Sequence, residues 1–140
     1  MKQALTLYGA IFALALLGIS LIGTTQMMLV GYGAIAVMAL IISGTFFWLW
    51  QVRATPLALG MSFSWAGVGL TLGWWWLMQI QSSGDCQGSI VFLFAFLSLL
   101  MAGAILHFAV IQGSFGYQGL SFLAPVIGAL LLSLGVLWVM

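Results

Sequence analysis

Only three of the 140 residues carry a full charge, namely Lys2, Arg53 and Asp85. A soluble domain holds about 25% charged residues, because its whole surface has to face water. In this chain charged residues make up 2% and hydrophobic residues 65%. The polar faces that helices or sheets need in water are therefore missing, and the lipid bilayer has to act as the solvent.

Long apolar runs separated by short polar or glycine-containing segments predict an all-α, polytopic integral membrane helical bundle. Crossing ~30 Å of hydrocarbon takes about 20 residues of helix. We predict one transmembrane domain over residues 1–140, with five transmembrane helices joined by short loops. The predicted spans are about 4–23, 27–50, 56–80, 88–111 and 119–140.

The two prolines bear on where helices begin. Thr55 followed by Pro56 is typical of an N-cap and a first-turn proline, which predicts that the third helix begins there. Pro125 lies inside the predicted fifth span and should kink that helix, unless the helix begins later.

Lys2 followed by an apolar run is similar to a signal peptide, but no small-x-small cleavage site follows Ile22, so we interpret this segment as the first span.

The few charges predict an orientation. With five spans, Lys2 and the loop that holds Arg53 lie on the same side of the membrane, and Asp85 lies on the other. The positive-inside rule then predicts a cytoplasmic N-terminus and an external C-terminus. We expect a multi-pass protein of the inner (plasma) membrane of a bacterium.

The chain is rich in tryptophan, with seven of them, and most fall near predicted helix ends. Indole rings prefer the headgroup level of a bilayer. Trp65 is the exception, and we expect it to be buried between helices. Three consecutive tryptophans point about 100° apart on a helix and should not share one binding face. The predicted lipid-headgroup anchors are Arg53, Trp48, Trp50, Trp74, Trp75, Trp76 and Trp138.

Two stripes of small residues run along the third span, and such stripes let helices pack closely in lipid. One stripe holds Gly60, Ser64, Gly67 and Thr71, and the other holds Ser62, Ala66, Gly69 and Gly73. They predict a central helix with a neighbour on each side. The predicted helix-packing residues are Gly60, Ser64, Gly67, Gly69 and Gly73. The alternative is that one stripe forms an interface to another subunit or lines a site for a lipid-like ligand.

His107 is the only ionisable residue within a predicted span, and Gly103 lies four residues before it on the same helix face. Gly103 would leave room for a flat macrocycle whose metal is ligated by His107, so His107 is the candidate cofactor-binding residue. The alternative is a neutral histidine hydrogen-bonded to Ser, Tyr or a lipid headgroup. We expect no obligatory cofactor and no metal site; bound lipid, quinone, haem or a chlorophyll-type pigment are the ligands compatible with the sequence.

The missing residue types exclude several functions. No span contains a carboxylate of the kind that ion-coupled transporters use, and His107 has no acidic partner for serine catalysis. Cys86 is the only cysteine, which excludes an intramolecular disulfide and a cysteine-based metal cluster. A net charge of +1 gives no attraction to nucleic acid. We therefore expect a protein that is not an enzyme and does not bind nucleic acid.

These exclusions favour a non-catalytic accessory or structural subunit of a larger membrane complex, with the lipid bilayer and other membrane subunits as its partners. One alternative is a small transporter or channel for a neutral or lipophilic molecule, and another is a haem- or pigment-binding subunit that uses His107. The transport path would be lined by Ser62, Ser64, Thr71, Ser98 and Trp65.

Overall fold

The computed structural model describes residues 2–81, 90–114 and 123–139, and apart from short connections these ranges are helical. This confirms the all-α prediction. The first four helices begin and end within three residues of the predicted spans. The helices are α1 Lys2–Ile22, α2 Thr24–Arg53, α3 Pro56–Gln81, α4 Ile90–Ser114 and α5 Ala124–Val139.

Four helices, α1 to α4, are long and apolar enough to cross a membrane. Of the fifth predicted span, 119–140, residues 119–122 and 140 lie outside the described residues, and the described part holds α5, Ala124–Val139, with 16 residues. At 1.5 Å per residue it rises about 24 Å, which is less than the ~30 Å of hydrocarbon. Pro125 falls in its first turn, where a missing N–H breaks no helical bond, so the kink expected for a longer helix does not arise.

The connections between the first three helices are shorter than the segments 24–26 and 51–55 that separate the predicted spans. Gly23 alone joins α1 to α2, with a φ of +88° that suits glycine. Ala54 ends α2 in the left-handed conformation, with φ 49° and ψ 33°, and its N–H donates a 2.7 Å hydrogen bond to the carbonyl oxygen of Trp50. The left-handed region is unfavourable for a residue with a Cβ atom.

Helix α3 is central and packs against α2 on one side and α4 on the other. The residues buried in α2 and α3 are all small, so the backbones approach closely and van der Waals contact can hold the helices together in lipid. They are Gly33, Ala36, Ala39, Ser43, Ala58, Gly60, Ser62, Gly67 and Gly69.

Helices α1 and α5 lie at the periphery of this three-helix unit. No residue of α1 from Gln3 to Ile22 is buried, and Ala15 and Gly18 are its two half-buried positions. Gly18 lies against the side chain of Met27, near the turn into α2. Helix α5 lies beside α4 and has Val126 buried.

Candidate binding cavities and helix interfaces

The first small-residue stripe of α3 faces α4. An ideal Cβ atom added to Gly67 would lie 2.6 Å from the Cα atom of Leu100, and one added to Gly60 would lie 3.0 Å from the backbone nitrogen of His107. Gly103 of α4 lies directly against the backbone and side chain of Ser64. Backbone therefore meets backbone along this interface. A Cβ atom at Gly67 or Gly103 would force the helices apart, and one at Gly60 would require its neighbours on α4 to shift by a few tenths of an ångström.

The second stripe of α3 faces α2. Gly69 lies against Leu40 and the carbonyl oxygen of Ala36, and a Cβ atom added to Gly73 would lie 3.8 Å from that of Ala36. Ser43 and Ser62 form reciprocal hydrogen bonds across the same interface and are both buried. One helix thus presents its two stripes to two different neighbours.

The residues proposed for a transport path do not come together. Ser62 faces α2, whereas Ser64 faces α4. Ser98 is exposed, and its hydroxyl donates a 2.7 Å hydrogen bond to the carbonyl oxygen of Phe94. Trp65 is half-buried rather than buried. None of the three cavities described here is lined by these residues or by Thr71. The Oγ1 atom of Thr71 is buried and has no hydrogen-bond partner among the described residues.

The tryptophan cavity, a space of about 340 Å³ bordered by Trp74, Trp76, Phe92 and Phe96, lies between α2, α3 and α4. Its lining is almost entirely apolar, as expected for a groove that takes a hydrocarbon chain or a neighbouring apolar side chain. Two of the three consecutive tryptophans therefore border one cavity.

The third tryptophan has a different neighbour, since the ring of Trp75 contacts the ring of Tyr32 with centroids 4.5 Å apart. Trp76 also covers Gly33, where an added Cβ atom would lie 2.6 Å from the indole ring. Each indole of this trio is thus engaged with α2 or with the tryptophan cavity.

The other predicted anchors are mostly exposed. Trp48 is 64% exposed and Trp138 is 91% exposed, while Trp50 is half-buried beside Phe47. Arg53 is exposed in the last turn of α2, where a positive charge interacts favourably with the helix dipole. Contact of these residues with lipid headgroups stays a prediction. Asp85 and Cys86 lie outside the described residues.

The histidine cavity, a space of about 350 Å³, lies at the end of the bundle where α2 turns into α3. Four of its lining residues are Phe46, Thr55, Met61 and His107, which come from α2, the turn, α3 and α4. Thr55 and His107 are the polar side chains of this lining; the remaining lining residues are Leu49, Leu57 and Ala58.

His107 lines this cavity, but the polar atom that it leaves unpaired is not exposed to it. Its Nδ1 is buried and finds no hydrogen-bond partner in the described part of the chain. A buried nitrogen left in this state costs about 1–3 kcal/mol. The ring also contacts that of Phe108, with centroids 6.0 Å apart. The expected hydrogen bond from His107 to a Ser or Tyr side chain is therefore not formed at Nδ1 within these residues.

Gly103 does not provide the space that a macrocycle would need. The volume beside its Cα atom is occupied by Ser64 and by the backbone of Phe63. Gly103 therefore serves the contact between α3 and α4, and a flat macrocycle ligated by His107 does not fit on that face. No group of three or more His, Cys, Asp or Glu residues is placed to hold a metal ion within residues 2–81, 90–114 and 123–139.

The sequence patterns alone do not identify the partners that complete these sites. Ser43 was not singled out, although a serine in the middle of an apolar span signals a polar contact between helices. Phe46, Met61 and Thr55 could not be assigned to a cavity, because they come together only when three elements pack. Comparison with protein-family models, with curated proteins and with solved structures finds no match.

Proposed function

We propose that this chain is a non-catalytic subunit of a larger membrane complex, which it joins through α1. The observation that carries the proposal is that α1 is a long apolar helix without a single buried residue between Gln3 and Ile22. A single residue, Gly23, connects it to the rest of the chain. The three-helix unit of α2, α3 and α4 packs without it.

Small residues on α1 suit a close helix–helix contact. Gly9 and Ala13 are exposed and lie on one face, and no atom lies within 4 Å of the Cβ position of Gly9. The small residues of α3 contact α2 and α4, whereas the Cβ position of Gly9 has no neighbour within the described chain and Ala13 is exposed. Small residues at such a spacing let a partner helix approach closely in lipid.

Co-purification from the native membrane in mild detergent tests the proposal. We expect the tagged chain to elute with other membrane proteins in a fixed ratio, and Gly9→Leu to reduce their recovery at least about tenfold, because the added side chain would hold a partner helix away. The matched control is Gly44→Leu on α2, since Gly44 is also exposed with no atom within 4 Å of its Cβ position.

Two results would refute this assignment. A single monodisperse species that contains one chain and no other protein would rule out a stable complex. Equal losses with Gly9→Leu and Gly44→Leu would show that α1 is not the specific point of attachment.

We further propose that α5 also enters the bilayer and that the N-terminus is cytoplasmic, as the positions of Lys2 and Arg53 in the sequence favour. The single cysteine, Cys86, offers a direct test of this orientation because it lies between α3 and α4 in the sequence. A membrane-impermeant maleimide should label Cys86 on intact cells. In a Cys86→Ser background, Thr55→Cys should react only after permeabilisation. The reverse labelling pattern would show that the chain has the opposite orientation.

A further inference from the structure

Arg53 is a positive charge that its own chain does not neutralise. It is exposed in the last turn of α2. The only acidic residue of the chain is Asp85. Asp85 follows α3 in the sequence whereas Arg53 precedes it, so the 26 residues of α3, about 39 Å of helix, separate the two along the chain. An anion that pairs with Arg53 therefore comes from outside the chain.

The end of α2 reaches the level of the phospholipid headgroups. With 30 residues α2 rises about 45 Å, whereas the hydrocarbon core is ~30 Å thick and the bilayer with its headgroups about 40–45 Å. Arg53 is the only charged residue of this helix, at its very end. A guanidinium group forms paired hydrogen bonds with a phosphate group, and lipid phosphates are the anions present at that level.

Arg53 shares a helix face with two residues that line the histidine cavity. Phe46, Leu49 and Arg53 follow one another at three and four residues, which places them along one side of α2. In an α-helix the Cα–Cβ bonds tilt toward the N-terminus, so a side chain covers the turn that precedes it. Arg53 therefore lies one turn beyond the cavity wall, on the headgroup side of the cavity.

The lining of the histidine cavity suits hydrocarbon. Its surface is almost entirely apolar, and its volume is about 350 Å³. The unpaired Nδ1 of His107 is buried and does not face the cavity. An acyl chain needs no hydrogen bond from such a wall. The tryptophan cavity is equally apolar, but no charged residue lies within one helical turn of its lining residues in the sequence.

We propose that the histidine cavity and Arg53 together bind one anionic phospholipid, with an acyl chain in the cavity and the phosphate group at the guanidinium group of Arg53. The single negative charge of such a headgroup complements the single positive charge at this end of α2. The proposal does not depend on the complex proposed above, because every residue it uses belongs to this chain.

Native mass spectrometry in a neutral detergent tests the identity of the ligand. We expect one dioleoylphosphatidylglycerol to bind saturably, and about fivefold more tightly than dioleoylphosphatidylcholine, whose choline group already neutralises its phosphate. Dioleoylglycerol, which has the same chains and no phosphate, should bind at least about tenfold more weakly. Equal affinities for the three lipids, or displacement of phosphatidylglycerol by inorganic phosphate, would overturn the proposal.

Two variants of Arg53 and Lys2 test the role of the charge. Arg53→Gln should weaken the binding of phosphatidylglycerol about tenfold or more, because a charge-assisted hydrogen bond is lost. Lys2→Gln removes the same charge from the other basic residue of the chain and should bind like the wild type. Wild-type affinity in Arg53→Gln, or equal losses in the two variants, would overturn the proposal.

A second pair of variants tests the place of the acyl chain. Leu57 lines the histidine cavity and is 40% exposed, so Leu57→Trp should fill the cavity without disturbing a buried contact. Loss of the space for two methylene groups weakens binding about tenfold. The control is Leu130→Trp in the separate cavity between α4 and α5, since Leu130 is 51% exposed. Wild-type affinity in Leu57→Trp, with unchanged helical circular dichroism, would overturn the proposal.

Discussion

Ser43 of α2 and Ser62 of α3 hold the two helices together by exchanging hydrogen bonds. The Ser43 hydroxyl donates to the carbonyl oxygen of Ser62 at 2.8 Å, and the Ser62 hydroxyl donates to that of Ser43 at 3.1 Å. The two hydroxyl oxygens are 3.3 Å apart, and both residues are buried. The pair satisfies two hydroxyls at a point where neither lipid nor water can reach them.

Removing one of these hydroxyls should destabilise the fold modestly. We expect Ser43→Ala and Ser62→Ala each to lower the free energy of unfolding by about 0.6–1.7 kcal/mol, which spans the average and the largest values for hydrogen bonds between membrane helices. The double variant should lose less than the sum, because the two hydroxyl oxygens also contact each other at 3.3 Å and either substitution alone removes that contact. Steric trapping in bicelles measures these changes. Ser98→Ala is the control: the exposed hydroxyl of Ser98 bonds within α4, so its loss should change the free energy of unfolding little. Strictly additive losses in the Ser43→Ala and Ser62→Ala variants would contradict the coupling.

Glycine at the α3–α4 interface should not tolerate even one added carbon. We expect Gly67→Ala to destabilise the protein by about 1–3 kcal/mol or more, because the new Cβ atom would meet the backbone of Leu100, which cannot move aside alone. Gly44 has no atom within 4 Å of its Cβ position. We therefore expect Gly44→Ala to leave the free energy of unfolding unchanged or to raise it by up to about 1 kcal/mol. Thermal unfolding in detergent compares the two, and equal stability would show that the helices are not in close contact.

The turn between α2 and α3 should be improved by glycine. Ala54 adopts a left-handed conformation, with φ at 49°, that disfavours a Cβ atom. We expect Ala54→Gly to raise the free energy of unfolding by about 0.5–1 kcal/mol after the entropy lost by glycine is taken into account. The same change at Ala34, an exposed residue within α2, should lower it by about 1 kcal/mol. Chemical denaturation measures both changes in the free energy of unfolding. Changes of the same sign in the two variants would contradict the left-handed conformation of Ala54.

Replacement of His107 by an apolar residue should not destabilise the fold. Because Nδ1 is buried and unpaired, we expect His107→Leu to leave the free energy of unfolding unchanged or to raise it by about 1 kcal/mol. Denaturation in detergent measures this change, and Ser62→Ala, which removes a hydrogen-bonded hydroxyl, is the contrasting variant. A clear loss of stability in His107→Leu would indicate that the imidazole has a structural partner.

Much of the helical layout could be predicted because it depends on local properties. Hydrophobic run length places α1 to α4, and Thr55 with Pro56 marks the start of α3. The start of α5 cannot be predicted in this way, because composition around Pro125 does not reveal where a helix begins. The polar residues at positions 24–26, 51 and 53 suggest loops, yet they are compatible with the ends of helices, and α2 includes them all.

The sequence by itself determined that the chain belongs in lipid and that α3 has small residues on two faces, since both follow from side-chain size, charge and helical period. Only the tertiary structure decided which neighbour each face contacts, that Ser43 pairs with Ser62, that Gly103 packs against Ser64, and that His107 borders a cavity with Thr55. Contacts of this kind depend on the relative rotation and offset of separate helices, which the packing of all side chains at once fixes and no single segment encodes.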